Sequence, residues 1–163
     1  MSFTATPLSG SPDEQYRDLA GQLAGLLHGE RDMIANAANT AALIFTQLPG
    51  LNWTGFYFVR GGELVLGPFQ GKPACIRIPI GKGVCGTAAA TRTTQCIADV
   101  HAFPGHIACD ADSRSELVVP LIKDGQVIGV LDLDSPLPDR FQAIDQTGIE
   151  VLAALFTEAS DTP

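Results

Sequence analysis

The chain has 163 residues, 45% of them hydrophobic and 17% charged, the composition of one soluble globular domain large enough for a core of its own. Eighteen acidic against ten basic residues leave a net charge of −8, which argues against nucleic-acid binding, since that needs a basic footprint. No apolar run reaches the length of a membrane span, and the opening Met-Ser-Phe-Thr-Ala-Thr-Pro has neither the basic start nor the apolar block of a secretory signal, so no membrane partner and a cytoplasmic location are expected.

Residues 1–10 read as a flexible leader and residues 11–160 as a single domain. Ser11-Pro12-Asp13-Glu14 opens a helix with a capping Ser, a Pro at the first helical position and a Glu at the capping-box position. Tyr16, Leu19, Ala20, Leu23, Leu26 and Leu27 then recur at helical spacing until Gly29. A second helix is expected over residues 32–48, with Ile34, Ala37, Ala38, Ala41, Ile44, Phe45 and Leu48 on one side and Pro49-Gly50 as its stop.

From Trp53 the period changes to two. Residues 53–59 read as a strand, Gly61-Gly62 as a hairpin turn, and residues 63–66 as the returning strand. Alternation sets Trp53, Gly55 and Tyr57 on one face and Phe56 and Phe58 on the other. Two rings flanking a glycine form either a core stripe or an aromatic cup for a small ligand. Residues 75–80 read as a third strand, with Pro79 marking an edge or an end. Gly81-Lys-Gly-Val-Cys-Gly86 matches the dinucleotide-binding glycine pattern, but its flanking strands read as hairpins rather than as a βαβ unit. It therefore reads as a tight turn into a short helix over residues 84–90. Cys85 then falls in the first turn, where the helix dipole lowers a thiol pKa.

After a short strand at residues 95–99 comes Asp99-Val-His-Ala-Phe-Pro-Gly-His-Ile-Ala-Cys-Asp110. It is too polar and too broken by Pro104 and Gly105 for a helix or strand, and a loop bearing two histidines and a thiol is a natural place for chemistry. Residues 116–122 and 126–134 form a hairpin about Lys123-Asp124-Gly125, with Asp132 and Asp134 on one face above Ile128 and Val130, and Glu116 on the paired strand. Solvated strand ends would explain these carboxylates, but Asp is disfavoured in strands, so a functional reading stands beside that one. Asp139 and Gln142 cap a last helix running to Phe156.

Four cysteines, at 75, 85, 96 and 109, sit in a chain expected in a reducing compartment, which leaves metal binding, redox chemistry or burial. No Cys-x-x-Cys pair exists, and His106 with Cys109 lacks a second pair to complete a zinc site, so no metal is expected.

Gly67-Pro-Phe-Gln-Gly-Lys-Pro-Ala-Cys75, Gly83-Val-Cys-Gly-Thr-Ala-Ala89, residues 99–110 and Ser115-Glu-Leu-Val-Val-Pro together resemble the free methionine-(R)-sulfoxide reductases of the GAF family. The resemblance covers residues 16–156. It implies an α+β fold, a six-stranded antiparallel sheet flanked by helices. It also implies that Cys109 attacks the sulfoxide sulfur, that Cys75 resolves the intermediate, and that Cys85 is the third family thiol. Glu116, Asp132 and Asp134 would receive the substrate's ammonium and sulfoxide oxygen, Trp53 and Tyr57 its methyl group, and Ile107 and Ala108 would complete the binding loop. Cys96 has no counterpart in the family and reads as a buried strand residue. Free methionine-(R)-sulfoxide and a thioredoxin-type reductant are the implied partners, a homodimer is the common assembly, and no cofactor is required. The chemistry is consistent: reduction needs a thiolate and a proton for the departing oxygen, and crowded carboxylates retain a proton near neutrality. His101 and His106 read as structural. A ligand-sensing GAF module and a redox-sensing domain are the non-catalytic alternatives.

Overall fold

A computed structural model describes residues 2–107 and 109–162. The elements run α1 (Pro12–Leu27), α2 (Met33–Gln47), β1 (Trp53–Arg60), β2 (Glu63–Gly71), β3 (Arg77–Pro79), α3 (Gly83–Thr91), β4 (Gln95–Ile97), β5 (Ser115–Lys123), β6 (Gln126–Ser135) and α4 (Ala143–Ala159), with one 3-10 turn at Val100–Ala102. The strands join in one antiparallel sheet of order β3-β2-β1-β6-β5-β4, the expected α+β architecture. The turn chemistry explains the hairpins. Gly61 and Gly62 take φ of 59° and 83°, and Asp124 and Gly125 take 50° and 77°, the left-handed pairs that two-residue hairpins require. No helix among the described residues is long and apolar enough to cross a membrane.

The two sheet faces have different partners. Phe56, Phe58, Leu117, Val119, Leu121, Leu131 and Leu133 point toward α1, α2 and α4 and pack with Leu19, Leu23, Ile44, Leu152 and Phe156. On the other face Trp53, Tyr57, Val118 and Val130 pack with Ile78 of β3 and with Val84, Cys85, Ala88 and Ala89 of α3. The alternation read from the aromatic strand therefore holds. Helix α1 starts where Ser11 Oγ accepts from the Glu14 N–H at 3.3 Å, and α2 where Asp32 Oδ1 accepts from Ala35 N–H at 2.8 Å.

Several local expectations are corrected. The inner face of α2 runs through Met33, Asn36, Ala37, Thr40, Ala41 and Ile44, while Ile34 is exposed. Polar Asn36 takes an inner position because its amide reaches Ser160 Oγ and Glu30 O, each at 3.1 Å, which an apolar count overlooks. The third strand is only Arg77–Pro79, at the sheet edge as Pro79 suggested, and Cys75 lies in the preceding loop. Ile128 does not lie below the aspartates. The β5–β6 register shifts between Leu121 and Ile122, and this bulge turns Ile128 to the helix-covered side. Cys96 is exposed on edge strand β4 rather than buried. Gln142 itself caps α4 in a reciprocal box with Asp145, whereas Asp139 precedes the cap with φ of 51°.

Residues 2–10 carry no helix or strand, yet Thr6 O accepts from the side chains of Gln22 and Gln47, each at 2.9 Å, and Ala5 and Leu8 pack on the core. The glycines at 81, 83 and 86 serve a turn. Gly81 and Gly83 take positive φ, and a Cβ on Gly86 would lie 2.5 Å from Pro79 O.

Gly55 is the close approach that matters for the sheet's second face. It pairs with Phe69 of β2, whose ring stacks on Trp53 at 5.2 Å between centroids. A Cβ there would meet Trp53 Cη2 at 2.7 Å and Phe69 Cα at 2.9 Å. The slot beside Trp53 is thus filled by Phe69 from the neighbouring strand. Gly55→Ala is expected to destabilise the fold by about 1–3 kcal/mol through overpacking, read as a lower denaturant midpoint. An unchanged midpoint would show that the sheet yields here freely.

Candidate active site

Register brings the acidic residues together. On β1, β6 and β5 the face opposite the large core carries two successive rungs, Trp53–Asp134–Glu116 and Gly55–Asp132–Val118. Three carboxyl groups and an indole therefore project side by side from the strand ends. Glu116 and Asp132 are buried, at 6% and 5% exposure, and α3 lays Cys85 against them. The Cys85 S–H stands 3.3 Å from Asp132 Oδ2 and 3.8 Å from Glu116 Oε1. The second Asp132 oxygen, Oδ1, is buried without a hydrogen-bond partner among the described residues.

Two loops close over this floor. The β2–β3 loop carries Cys75, whose carbonyl accepts from Tyr57 OH at 2.9 Å, and Lys72, whose carbonyl accepts from Trp53 Nε1 at 3.1 Å. The loop after β4 carries His106, Ile107, Cys109 and Asp110, and all four line the same cavity as Trp53, Tyr57, Cys85 and the three carboxylates. Cys75 and Cys109 are joined in a disulfide, their Cα atoms 5.7 Å apart. Lys72 pairs with Asp112 at 2.9 Å and approaches Asp110 at 3.7 Å, binding one loop to the other, and Asn52 Nδ2 reaches Ser113 Oγ at 3.1 Å and Asp110 at 3.3 Å.

The electrostatics follow from burial. Desolvation, then the charges of Asp132 and Asp134, push the Glu116 carboxyl well above its usual range. Desolvation and the charges of Asp132 and Asp110 do the same to Asp134. Asp132 is raised by burial to about 6 even though hydrogen bonds from Glu116 and Cys85 favour its ionised form. The cluster therefore keeps protons near neutral pH. Cys85 reverses the sequence expectation. Burial first, and then the three neighbouring carboxylates, raise its thiol well above the ordinary value, outweighing a helix-terminus effect worth about 1 kcal/mol. His106 Nε2 lies 3.8 Å from Glu116 Oε2, but burial and His101 lower its pKa, so the contact is not an ion pair at neutral pH.

Of the residues named from sequence, the structure gathers Trp53, Tyr57, Cys75, Cys85, Ile107, Cys109, Glu116, Asp132 and Asp134 about one cavity. Ala108 lies outside the described residues. Lys72, Asp110 and Ser113 also line the cavity and were not singled out, although Lys72 and Asp110 lie inside the stretches that carried the family resemblance.

The sequence matches the GAF domain over residues 12–159. It is 52% identical over 141 residues to the free methionine-R-sulfoxide reductase of Escherichia coli (strain K12), covering 86% of each chain. It is 45% identical over 155 residues to the free methionine-R-sulfoxide reductase of Saccharomyces cerevisiae, covering 90% of this chain and 86% of the other. The free methionine-R-sulfoxide reductase of Neisseria meningitidis, solved with its substrate, superposes with a TM-score of 0.93 at 42% identity, over 97% of this chain and 95% of that one.

The raised carboxyls carry a sign that can be tested. Each binds its proton more tightly in the folded chain, so its contribution is fully present below the unfolded pKa of about 4 and is lost as pH rises through the folded value, about 6 for Asp132. Glu116→Gln, which removes one of the crowded charges, is expected to stabilise the fold by roughly 1–2 kcal/mol at about pH 8 and to flatten the fall in stability between about pH 5 and 8. Denaturant unfolding across that range measures both. A variant less stable than the parent at the alkaline end would contradict the assignment.

Proposed function

The chain belongs to the GAF-domain family and, within it, to the free methionine-R-sulfoxide reductases, and from that premise we propose that it reduces free L-methionine-(R)-sulfoxide to methionine with two of its own thiols. The observation that carries the reading is the Cys75–Cys109 disulfide set over a cavity floored by three carboxyl groups. It joins an electron source to a proton store and to a patch suited to an ammonium ion.

In this reading the reduced Cys109 attacks the sulfoxide sulfur, and a protonated carboxyl of the Glu116–Asp132–Asp134 cluster gives its proton to the sulfoxide oxygen. Methionine leaves and the oxygen stays on Cys109 as a sulfenic acid. Cys75 then attacks the Cys109 sulfur, which forms the disulfide and releases the oxygen as water. Two thiols are oxidised, one sulfoxide is reduced, and the two thiol hydrogens end in the water. Ionised members of the cluster hold the substrate's ammonium, Trp53 and Tyr57 bound its methyl group, and Ile107 lines the loop side.

Cys109 is exposed and Cys75 half-buried in the disulfide, which supports regeneration by a thioredoxin-type dithiol through thiol–disulfide exchange. That partner fits a cytoplasmic enzyme, and a homodimer is the assembly that family resemblance favours.

The test counts thiols against product. Reduced protein mixed with the free R-sulfoxide is expected to lose two thiols for each methionine formed. Cys109→Ser should form none in a single turnover, while Cys75→Ser should form roughly one methionine per chain and then stall. Saturable binding without methionine would indicate a ligand sensor instead. A disulfide formed with no sulfoxide consumed would indicate a redox sensor.

A further inference from the structure

Cys85, Glu116 and Asp132 come from α3, β5 and β6, and one donor atom from each lies within 4.8 Å of the others. The sulfur stands 3.3 Å from Asp132 Oδ2 and 3.8 Å from Glu116 Oε1, and His106 Nε2 adjoins the group, 3.8 Å from Glu116 Oε2. Zinc bound tetrahedrally through oxygen or nitrogen at about 2.0 Å and sulfur at about 2.3 Å sets its donors roughly 3.3–3.5 Å apart. The two sulfur–oxygen separations, 3.3 and 3.8 Å, lie within a few tenths of an ångström of that spacing, while His106 stands outside the group of three. A separate feature also points to a missing ligand. Asp132, 5% exposed and lining the cavity, has its Oδ1 buried with no partner among the described residues.

We propose that Cys85, Glu116 and Asp132, with His106 beside them, form a binding site for a soft divalent cation of the zinc class. The donor set selects the class. A thiolate donor suits zinc and cobalt, whereas magnesium and calcium take all-oxygen donor sets in larger shells. Binding displaces the Cys85 proton to solvent and forms a metal–thiolate bond with no change of oxidation state, so affinity falls as pH falls. Because the same carboxylates receive the substrate's ammonium in the proposed reaction, the cation acts as a reversible competitive inhibitor. That consequence rests on the reductase reading; the site itself does not.

Cobalt(II) separates the two, since a cobalt–thiolate bond has a charge-transfer band independent of turnover. The disulfide-bonded protein leaves Cys85 and Cys96 as its free thiols. Titrated with cobalt(II), it is expected to bind one ion per chain with that band, to lose the band on adding zinc, and to keep it in Cys96→Ser but not in Cys85→Ser. Asp132→Asn should weaken cobalt binding at least tenfold, which keeps the test open if Cys85→Ser fails to fold. The same titration of a Cys75→Ser/Cys109→Ser chain, with no disulfide across the cavity, covers restricted entry. Absence of the band from both proteins, or its survival in a folded Cys85→Ser, would overturn the site. With cobalt bound as expected, zinc should raise KM for the sulfoxide and leave kcat unchanged; a fall in kcat alone would remove the competition while the site stands.

Discussion

The structure depends on three carboxyl groups sharing one covered patch of sheet. Glu116 and Asp134 face each other across β5 and β6, and Asp132 stands one rung away. Like charges placed opposite on a sheet repel, and burial removes the water that would screen them. Each pKa unit of upward shift is about 1.4 kcal/mol against the ionised form, so the patch is a local instability at neutral pH. The opposite face outweighs it. Phe56, Leu117, Leu131, Leu133 and Phe156 are fully buried there, and each such side chain contributes roughly 1.5–3 kcal/mol. The sheet can thus carry a strained reactive face because its other face is an ordinary apolar core.

That division of labour explains where the thiols sit. Cys75 and Cys109 are on two separate loops over the acidic floor, where they are joined as a disulfide. Cys85 is fixed on a helix against the floor, where its carboxylate neighbours disfavour the thiolate. One kind of residue therefore has two environments: at the rim it suits redox exchange, and at the base it holds its proton until a cation or a change of charge displaces it.

The architecture was legible where local chemistry and pattern agree. The Gly61-Gly62 and Asp124-Gly125 turns, the alternation of Trp53 and Tyr57 against Phe56 and Phe58, and the Ser11 cap all read directly from residue type. The acidic row was legible in part, since Asp132 and Asp134 share a face by periodicity alone, but their pairing with Glu116 and Trp53 depends on register between strands far apart in the chain. What sequence missed arose from tertiary context. A bulge turned Ile128 over, the sheet edge exposed Cys96, and Phe69 arrived from a neighbouring strand to fill the place beside Trp53. Cys85 shows the same limit in electrostatics, because its helix position pointed to a lowered pKa and its buried neighbours raise it.

In the proposed reaction the acidic floor recognises a free amino acid's ammonium while the thiols reduce its sulfoxide. Comparing kcat/KM for free L-methionine-(R)-sulfoxide with that for its N-acetyl derivative tests it directly, because acetylation removes the charge and leaves the sulfoxide unchanged. Burying the cluster against a neutral, bulkier group loses several kcal/mol, or about a hundredfold or more in rate. A preference of at least that size for the free amino acid is therefore expected. Equal values for the two substrates would contradict it and show that the carboxylates do not read the ammonium.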